Sequence, residues 1–81
     1  MKVSVQYWSF FRDLAGSPSG DYELADGSTV ADLLDVIYRQ HPQLSPMRAC
    51  ARVAVGVEYA APGQVLVSGD EVSLFPPVQG G

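Results

Sequence analysis

The stretch with most chemical promise is the end of the chain, Phe75-Pro76-Pro77-Val78-Gln79-Gly80-Gly81. Proline restrains φ and pushes the residue before it towards extended backbone, so Phe75, Pro76 and Pro77 should leave the fold as a stiff spacer. The five residues from Pro77 onward reach at most roughly 17 Å, enough to enter another protein's cleft. Glycine has no Cβ, so Gly80 and Gly81 would pass a narrow channel and expose an unhindered main-chain carboxylate. A carboxylate is a poor electrophile until it is activated, for example as an acyl-adenylate. The pattern therefore suits an acyl carrier whose reacting group is the Gly81 carboxyl. The bland alternative is a frayed end, because termini are commonly poorly ordered. Taken alone, these residues leave both readings open.

Little else in the chain suggests chemistry. His41 is the one histidine, so a histidine metal cluster is excluded, and its place before Pro42 reads as a solvated helix end. No Cys-x-x-Cys, P-loop or dinucleotide-binding glycine pattern is present. Cys50 is the one cysteine, lies in an apolar run and reads as a small core residue; it can form no internal disulfide. No metal site is expected, and as an independent enzyme the chain has little to work with.

Eighty-one residues make one domain with a small core, and 47% apolar against 17% charged residues argues for a folded chain. The net charge is −4, and the five bases Lys2, Arg12, Arg39, Arg48 and Arg52 are scattered without a basic stripe. Binding to nucleic acid needs such a stripe and is disfavoured. No run approaches the ~20 apolar residues of a membrane span, and the first residues alternate rather than form a leader, so a cytoplasmic protein is expected.

The elements that must position the tail are legible from periodicity. Val3, Val5 and Tyr7 alternate with Lys2, Ser4, Gln6 and Trp8, which predicts a strand that buries the odd positions and turns Trp8 outward. Phe10 to Gly16 reads as a short helical turn or a wide loop, followed by the breakers Ser17-Pro18-Ser19-Gly20 and a second strand over 21–24. Thr29 and Asp32 resemble a capping box, and Val30, Leu33, Leu34 and Ile37 fall on one helical face, ending near Arg39 to His41 before Pro42. Ser45-Pro46 predicts a new helical turn through Cys50. Residues 52–57 read as a strand with Val53, Val55 and Val57 on one face, 58–67 as irregular, and 71–75 as the last strand. One helix covers one face of such a sheet and leaves the other partly open, with Trp8 and Phe75 on the open side. Together with Tyr59 they make a candidate docking patch. Arg12 is a candidate ion-pairing residue for a partner, and Asp70 reads as a turn residue.

The ending Gly69-Asp70-Glu71-Val72-Ser73-Leu74-Phe75-Pro76-Pro77-Val78-Gln79-Gly80-Gly81 resembles that of the MoaD branch of the MoaD/ThiS sulfur carriers, the small subunits of molybdopterin synthases. Tyr7-Trp8 followed by Arg12-Asp13-Leu14-Ala15-Gly16 is similar to the N-terminal stretch of the same family. One departure stands out: Gly56 takes the place where these proteins often carry Asn.

The resemblance implies an α+β, ubiquitin-like β-grasp fold, with a mixed sheet of four to five strands, one main helix on one face and a flexible Gly-Gly tail. It divides the chain into a β-grasp domain over 1–75 and a sulfur-carrying tail over 76–81. It also implies a cycle in which Gly81 is the carrier, Gly80 its slim neighbour, and Phe75, Pro76, Pro77, Val78 and Gln79 the inserted arm. An E1-like, MoeB-type adenylating enzyme would use ATP to activate Gly81, and a sulfur donor protein would convert it to a thiocarboxylate. The large synthase subunit, docking on Trp8, Arg12, Tyr59 and Phe75, would supply the catalytic side chains and pass the sulfur to cyclic pyranopterin monophosphate. No bound cofactor is implied. Rival readings are a carrier for thiamine or cysteine synthesis, a ubiquitin-like protein modifier, and an interaction module with an inert tail.

Overall fold

The computed structural model describes residues 1–77, arranged as five strands and two α-helices. The strands are β1 (Lys2–Tyr7), β2 (Ser19–Glu23), β3 (Arg52–Val55), β4 (Glu58–Tyr59) and β5 (Glu71–Phe75). The helices are α1 (Phe10–Ala15) and α2 (Val30–Gln40), and a 3₁₀ turn covers Pro42–Met47. The sheet order is β2-β1-β5-β3-β4, with β1 and β5 parallel and the other neighbours antiparallel. This is the ubiquitin-like β-grasp, a mixed five-stranded sheet grasping one main helix.

The alternation in β1 does what its period requires: Val3, Val5 and Tyr7 are buried while Trp8 remains 53% exposed. In β5, Val72 and Leu74 face the core and Phe75 faces the opposite side. From α2 come Val30, Leu33 and Ile37, each almost wholly buried, with Leu34 only partly so. Each full burial of such a side chain contributes roughly 1.5–3 kcal/mol. Tyr38 is buried as well, which the four-residue apolar stripe did not anticipate. Phe11 and Leu44 close the core at the end where β1 runs into α1.

The start of α2 leaves none of its first donors idle. The Thr29 side chain accepts from the Asp32 amide at 3.3 Å, and Asp32 Oδ2 accepts from the Thr29 amide at 2.9 Å, a complete capping box. The two preceding helical amides look outside the helix. Val30 N–H donates to the Gln64 carbonyl and Ala31 N–H to the Pro62 carbonyl, both at 2.9 Å. Glu58 and Tyr59, expected to be irregular, form strand β4 because they pair with Val55 and Ala54. Only the segment after them is irregular, and it is tied to the helix, with a bridge between Thr29 and Val65 beside the buried Leu66.

Several boundaries differ from the sequence reading. Strand β2 begins at Ser19, because pairing with Gln6 and Val5 carries Ser19 and Gly20 into the ladder despite their breaker character. The turn after α2 begins at Pro42 rather than at Ser45-Pro46, so Pro46 lies inside the 3₁₀ turn rather than at its start. Strand β3 stops at Val55, since Gly56 and Val57 make the hairpin turn into β4, and Val57 stands almost fully exposed. Among the described residues, no helix is long and apolar enough to cross a membrane.

Candidate functional site

The sheet face away from α2 carries the side chains of even parity in β1 and odd parity in β5. Trp8 follows β1 and Phe75 closes β5, and the Trp8 amide donates to the Leu74 carbonyl at 3.0 Å, so the two aromatics leave the sheet side by side. Tyr59 reaches the same place from β4, with its ring centroid 5.8 Å from that of Phe75 and the planes at 49°. Trp8, Tyr59 and Phe75 line one open groove of about 490 Å³, floored by Ala54 and Ser73 and bounded by Gly56 and Val57. A concave apolar surface of this kind on a small domain suits a partner's side chain. Arg52, the direct cross-strand neighbour of Phe75, lays its guanidinium 5.7 Å from the Tyr59 ring centroid.

Arg12 is elsewhere. It is exposed on α1 and shares a shallow recess with Asp13, Gly16, Ser17 and Pro18, so the structure does not bring it to the aromatic groove. The root of the tail is described, and its remainder is not: Pro76 and Pro77 are half-buried, whereas Val78, Gln79, Gly80 and Gly81, and with them the expected flexible tail, lie outside the described residues. Pro76 and Pro77 line a second recess of about 460 Å³ together with Ser9, Phe10, Phe11, Met47 and Cys50.

That recess corrects the reading of Cys50. The cysteine is exposed, because the 3₁₀ turn ends before it and its thiol faces outward, donating only to the Met47 carbonyl at 3.4 Å. An apolar run gave no sign of this, since exposure there depends on where a short helix stops. Ser9 is a second feature that sequence alone concealed. Its φ of 58° lies in the left-handed region that non-glycine residues avoid, and this sharp turn lets Trp8 face outward while Phe11 turns into the core. His41 does end α2, but it is half-buried with its ring edge-on to Tyr7 at 5.9 Å rather than simply solvated.

The titratable groups are chiefly structural. Burial, and then the hydrogen bond to Tyr22, push the Tyr7 phenol well above its ordinary range. Burial also raises Tyr38, partly opposed by the Arg48 guanidinium beside it. Among the described residues no group of three or more His, Cys, Asp or Glu side chains is placed to hold a metal ion.

The groove and the tail root thus stand together at one end of the fold. The ThiS family model matches residues 5–81. The chain is 39% identical to a molybdopterin synthase sulfur carrier subunit from Chlamydomonas reinhardtii, with all of both chains covered. It is 35% identical to small archaeal modifier protein 1 of Haloferax volcanii, covering 91% of this chain and 98% of that one. A solved structure described as a putative molybdopterin converting factor subunit 1 from Pyrococcus furiosus superposes with a TM-score of 0.89 at 34% identity, covering 96% of this chain and 99% of that one. With the model spanning nearly the whole chain and the fold matching throughout, this protein belongs to the MoaD/ThiS family of β-grasp sulfur carriers.

Proposed function

We propose that this chain is the sulfur-donating subunit of a molybdopterin synthase and carries its sulfur on the Gly81 carboxyl. The observation that carries the reading is positional. Phe75, the last residue of β5, lies in the apolar groove, and the Pro76-Pro77 spacer starts immediately after it. A partner that docks on Trp8, Tyr59 and Phe75 would therefore receive the tail at a defined place. The tail over 76–81 then acts as a separate functional part beside the β-grasp domain.

In the proposed cycle an E1-like adenylating enzyme binds the carrier and ATP. The Gly81 carboxylate oxygen attacks the α-phosphorus and pyrophosphate leaves. A thiol releases sulfide-level sulfur from the persulfide of a sulfur donor protein, leaving a disulfide. The sulfide attacks the acyl carbon, AMP leaves, and a thiocarboxylate results. Sulfur is softer and more nucleophilic than the oxygen it replaces. The large subunit accepts the arm, shields the thiocarboxylate from water and passes the sulfur to cyclic pyranopterin monophosphate. This chain supplies reach and a reactive terminus, and the catalytic side chains belong to the partner. The proposal places ATP in the activating enzyme and no resident cofactor in the carrier.

The test is the mass of the C-terminal tryptic peptide after incubation with ATP, the adenylating enzyme and a sulfur donor. Cleavage after Arg52 releases a peptide over 53–81 that contains neither Met1 nor Met47, so methionine oxidation cannot imitate the gain. Exchange of one oxygen for sulfur on Gly81 is expected. No exchange with an active enzyme would overturn the reading. The metabolite that a deletion strain requires then separates the molybdopterin pathway from thiamine or cysteine synthesis.

A second reading has one specific observation in its favour, the similarity to a protein named as a small archaeal modifier. Here the activated Gly81 would be passed to amines on other proteins. Its signature is a set of higher-mass conjugates that disappear when Gly81 is deleted.

A further inference from the structure

The open sheet face is graded in charge along its strands. Strand register places its residues in rows. Trp8, Phe75 and Arg52 form the row at the tail end, since Tyr7 pairs with Leu74 and Arg52 with Phe75. Gln6, Ser73, Ala54 and Tyr59 follow, all uncharged. The next rows bring Asp21 beside Ser4, Glu71 on the other side of Ser4, and Glu23 beside Lys2. Asp21, Glu23 and Glu71 are all exposed, as is Lys2, whose ammonium offsets one of the three carboxylates and leaves that end of the face acidic. Two residues of strand advance roughly 6.6 Å, so the arginine row and the first acidic row lie roughly 13 Å apart.

Arg52 is held ready rather than neutralised. It is exposed with its guanidinium over the Tyr59 ring, and among the described residues no carboxylate lies within ion-pairing distance of it. Arg48, by contrast, is already joined to Asp35 and sits over the Tyr38 ring. A cation–π contact uses none of the guanidinium's N–H donors, which match the two oxygens of a carboxylate. A polyanion is a poor match for this face, because three carboxylates on it would repel the rest of the strand.

We infer that the partner that receives the tail presents a carboxylate to Arg52, an apolar side chain to the groove over Ala54, and basic side chains to Asp21, Glu23 and Glu71. The inference rests on the proposed function and adds to it the chemistry of the docking surface. The apolar groove supplies adhesion, and the gradient fixes which way round the carrier sits. Only one orientation aligns both charge signs, and that orientation points Pro76-Pro77 the same way in every encounter. The acidic rows act at a distance and govern the rate of encounter, whereas Arg52 acts at contact and governs release.

The test uses the full chain and the large synthase subunit, followed by surface-immobilised kinetics at low and high salt. The variants are Arg52→Glu, the triple change Asp21→Asn, Glu23→Gln and Glu71→Gln, and Phe75→Lys as a reference for the groove. Arg52→Glu is expected to speed dissociation at least tenfold. The triple variant is expected to slow association several-fold at low salt and to flatten its salt dependence, with dissociation little changed. Circular dichroism checks that each variant is folded, and Arg52→Gln is the milder substitute for Arg52→Glu. If Phe75→Lys abolishes the complex while Arg52→Glu and the triple variant bind as the parent does, the gradient is wrong and the groove reading stands. If the parent chain does not bind the large subunit, both fall. A homodimer that Arg52→Glu dissolves, with unaltered binding to the large subunit, would assign the face to a second copy and overturn the proposal.

Discussion

Tyr59 and Phe75 pack ring against ring, 5.8 Å between centroids, although 16 positions separate them in the chain. The contact joins the short hairpin strand β4 to the last residue before the prolines, so one wall of the groove and the root of the arm are the same structure. Phe75→Lys and Trp8→Lys should therefore weaken association with the large subunit by tenfold or more, on the order of 1.4 kcal/mol. Trp8 is already half-exposed and Phe75 only half-buried, so the melting temperature should fall by a few degrees at most. Calorimetric titration beside thermal melts checks both halves. A loss of stability as large as the loss of affinity would make these residues structural.

Gly56 tests how the hairpin holds Tyr59 in place. Its φ of +63° is left-handed, and a Cβ added there would meet no atom within 4 Å, so backbone conformation alone restricts the position. Asn tolerates this region best among residues with side chains. Gly56→Asn should cost well under 1 kcal/mol, while Gly56→Val should cost about 1–2 kcal/mol and loosen the hairpin. Urea midpoints for the two variants should separate accordingly, and equal midpoints would remove the conformational argument.

These residues also mark how far the sequence could be read. The strand at 2–7, the helix at 30–40 and the final strand were legible because alternation and the i, i+3, i+4 spacing record which side is buried. The pairing of Trp8 with Phe75 on the open face followed from parity in two separate strands. Tyr59 was legible as a candidate, but its contact with Arg52 was not, since it depends on a two-residue hairpin turn at Gly56 and Val57. Leu66 and the exposure of Cys50 were hidden for a similar reason. Both sit outside the periodic elements: Leu66 is seated by a bond from its N–H to the distant Ser28 carbonyl, whereas Cys50 is exposed because the 3₁₀ turn stops before it.

The helix start supplies a prediction about stability alone. Thr29→Ala removes the acceptor for the Asp32 amide and the donor to Asp32 Oδ2, while leaving the bonds to Gln64 and Pro62 possible. A loss of about 1 kcal/mol is expected. Amide exchange at Asp32 should accelerate more than at Val30 or Ala31, whose partners lie outside the capping box. Uniform acceleration across the three would mean that the box holds the whole helix entry.

The Tyr7 and Tyr22 hydroxyls share a hydrogen bond inside the core, across the β1–β2 ladder. Tyr22→Phe leaves the Tyr7 hydroxyl buried without its partner and should cost about 1–3 kcal/mol. Replacing both with Phe removes the stranded polar group, so the double variant should be less destabilised than the two single losses added together. The same pair sets a pH dependence. Burial first, and then the bond to Tyr22, raise the Tyr7 phenol above the unfolded value near 10, so the folded state holds its proton where the unfolded state has released it. Stability from this source is therefore complete below about pH 10 and declines as pH rises beyond it. Tyr38, raised by burial, adds to the decline in the same direction. Denaturant midpoints between pH 8 and 11.5 should fall steeply for the parent chain and less steeply for Tyr7→Phe. Equal slopes would show that the Tyr7 phenol ionises alike in the folded and unfolded chain, and the buried hydrogen bond would then have no bearing on alkaline stability.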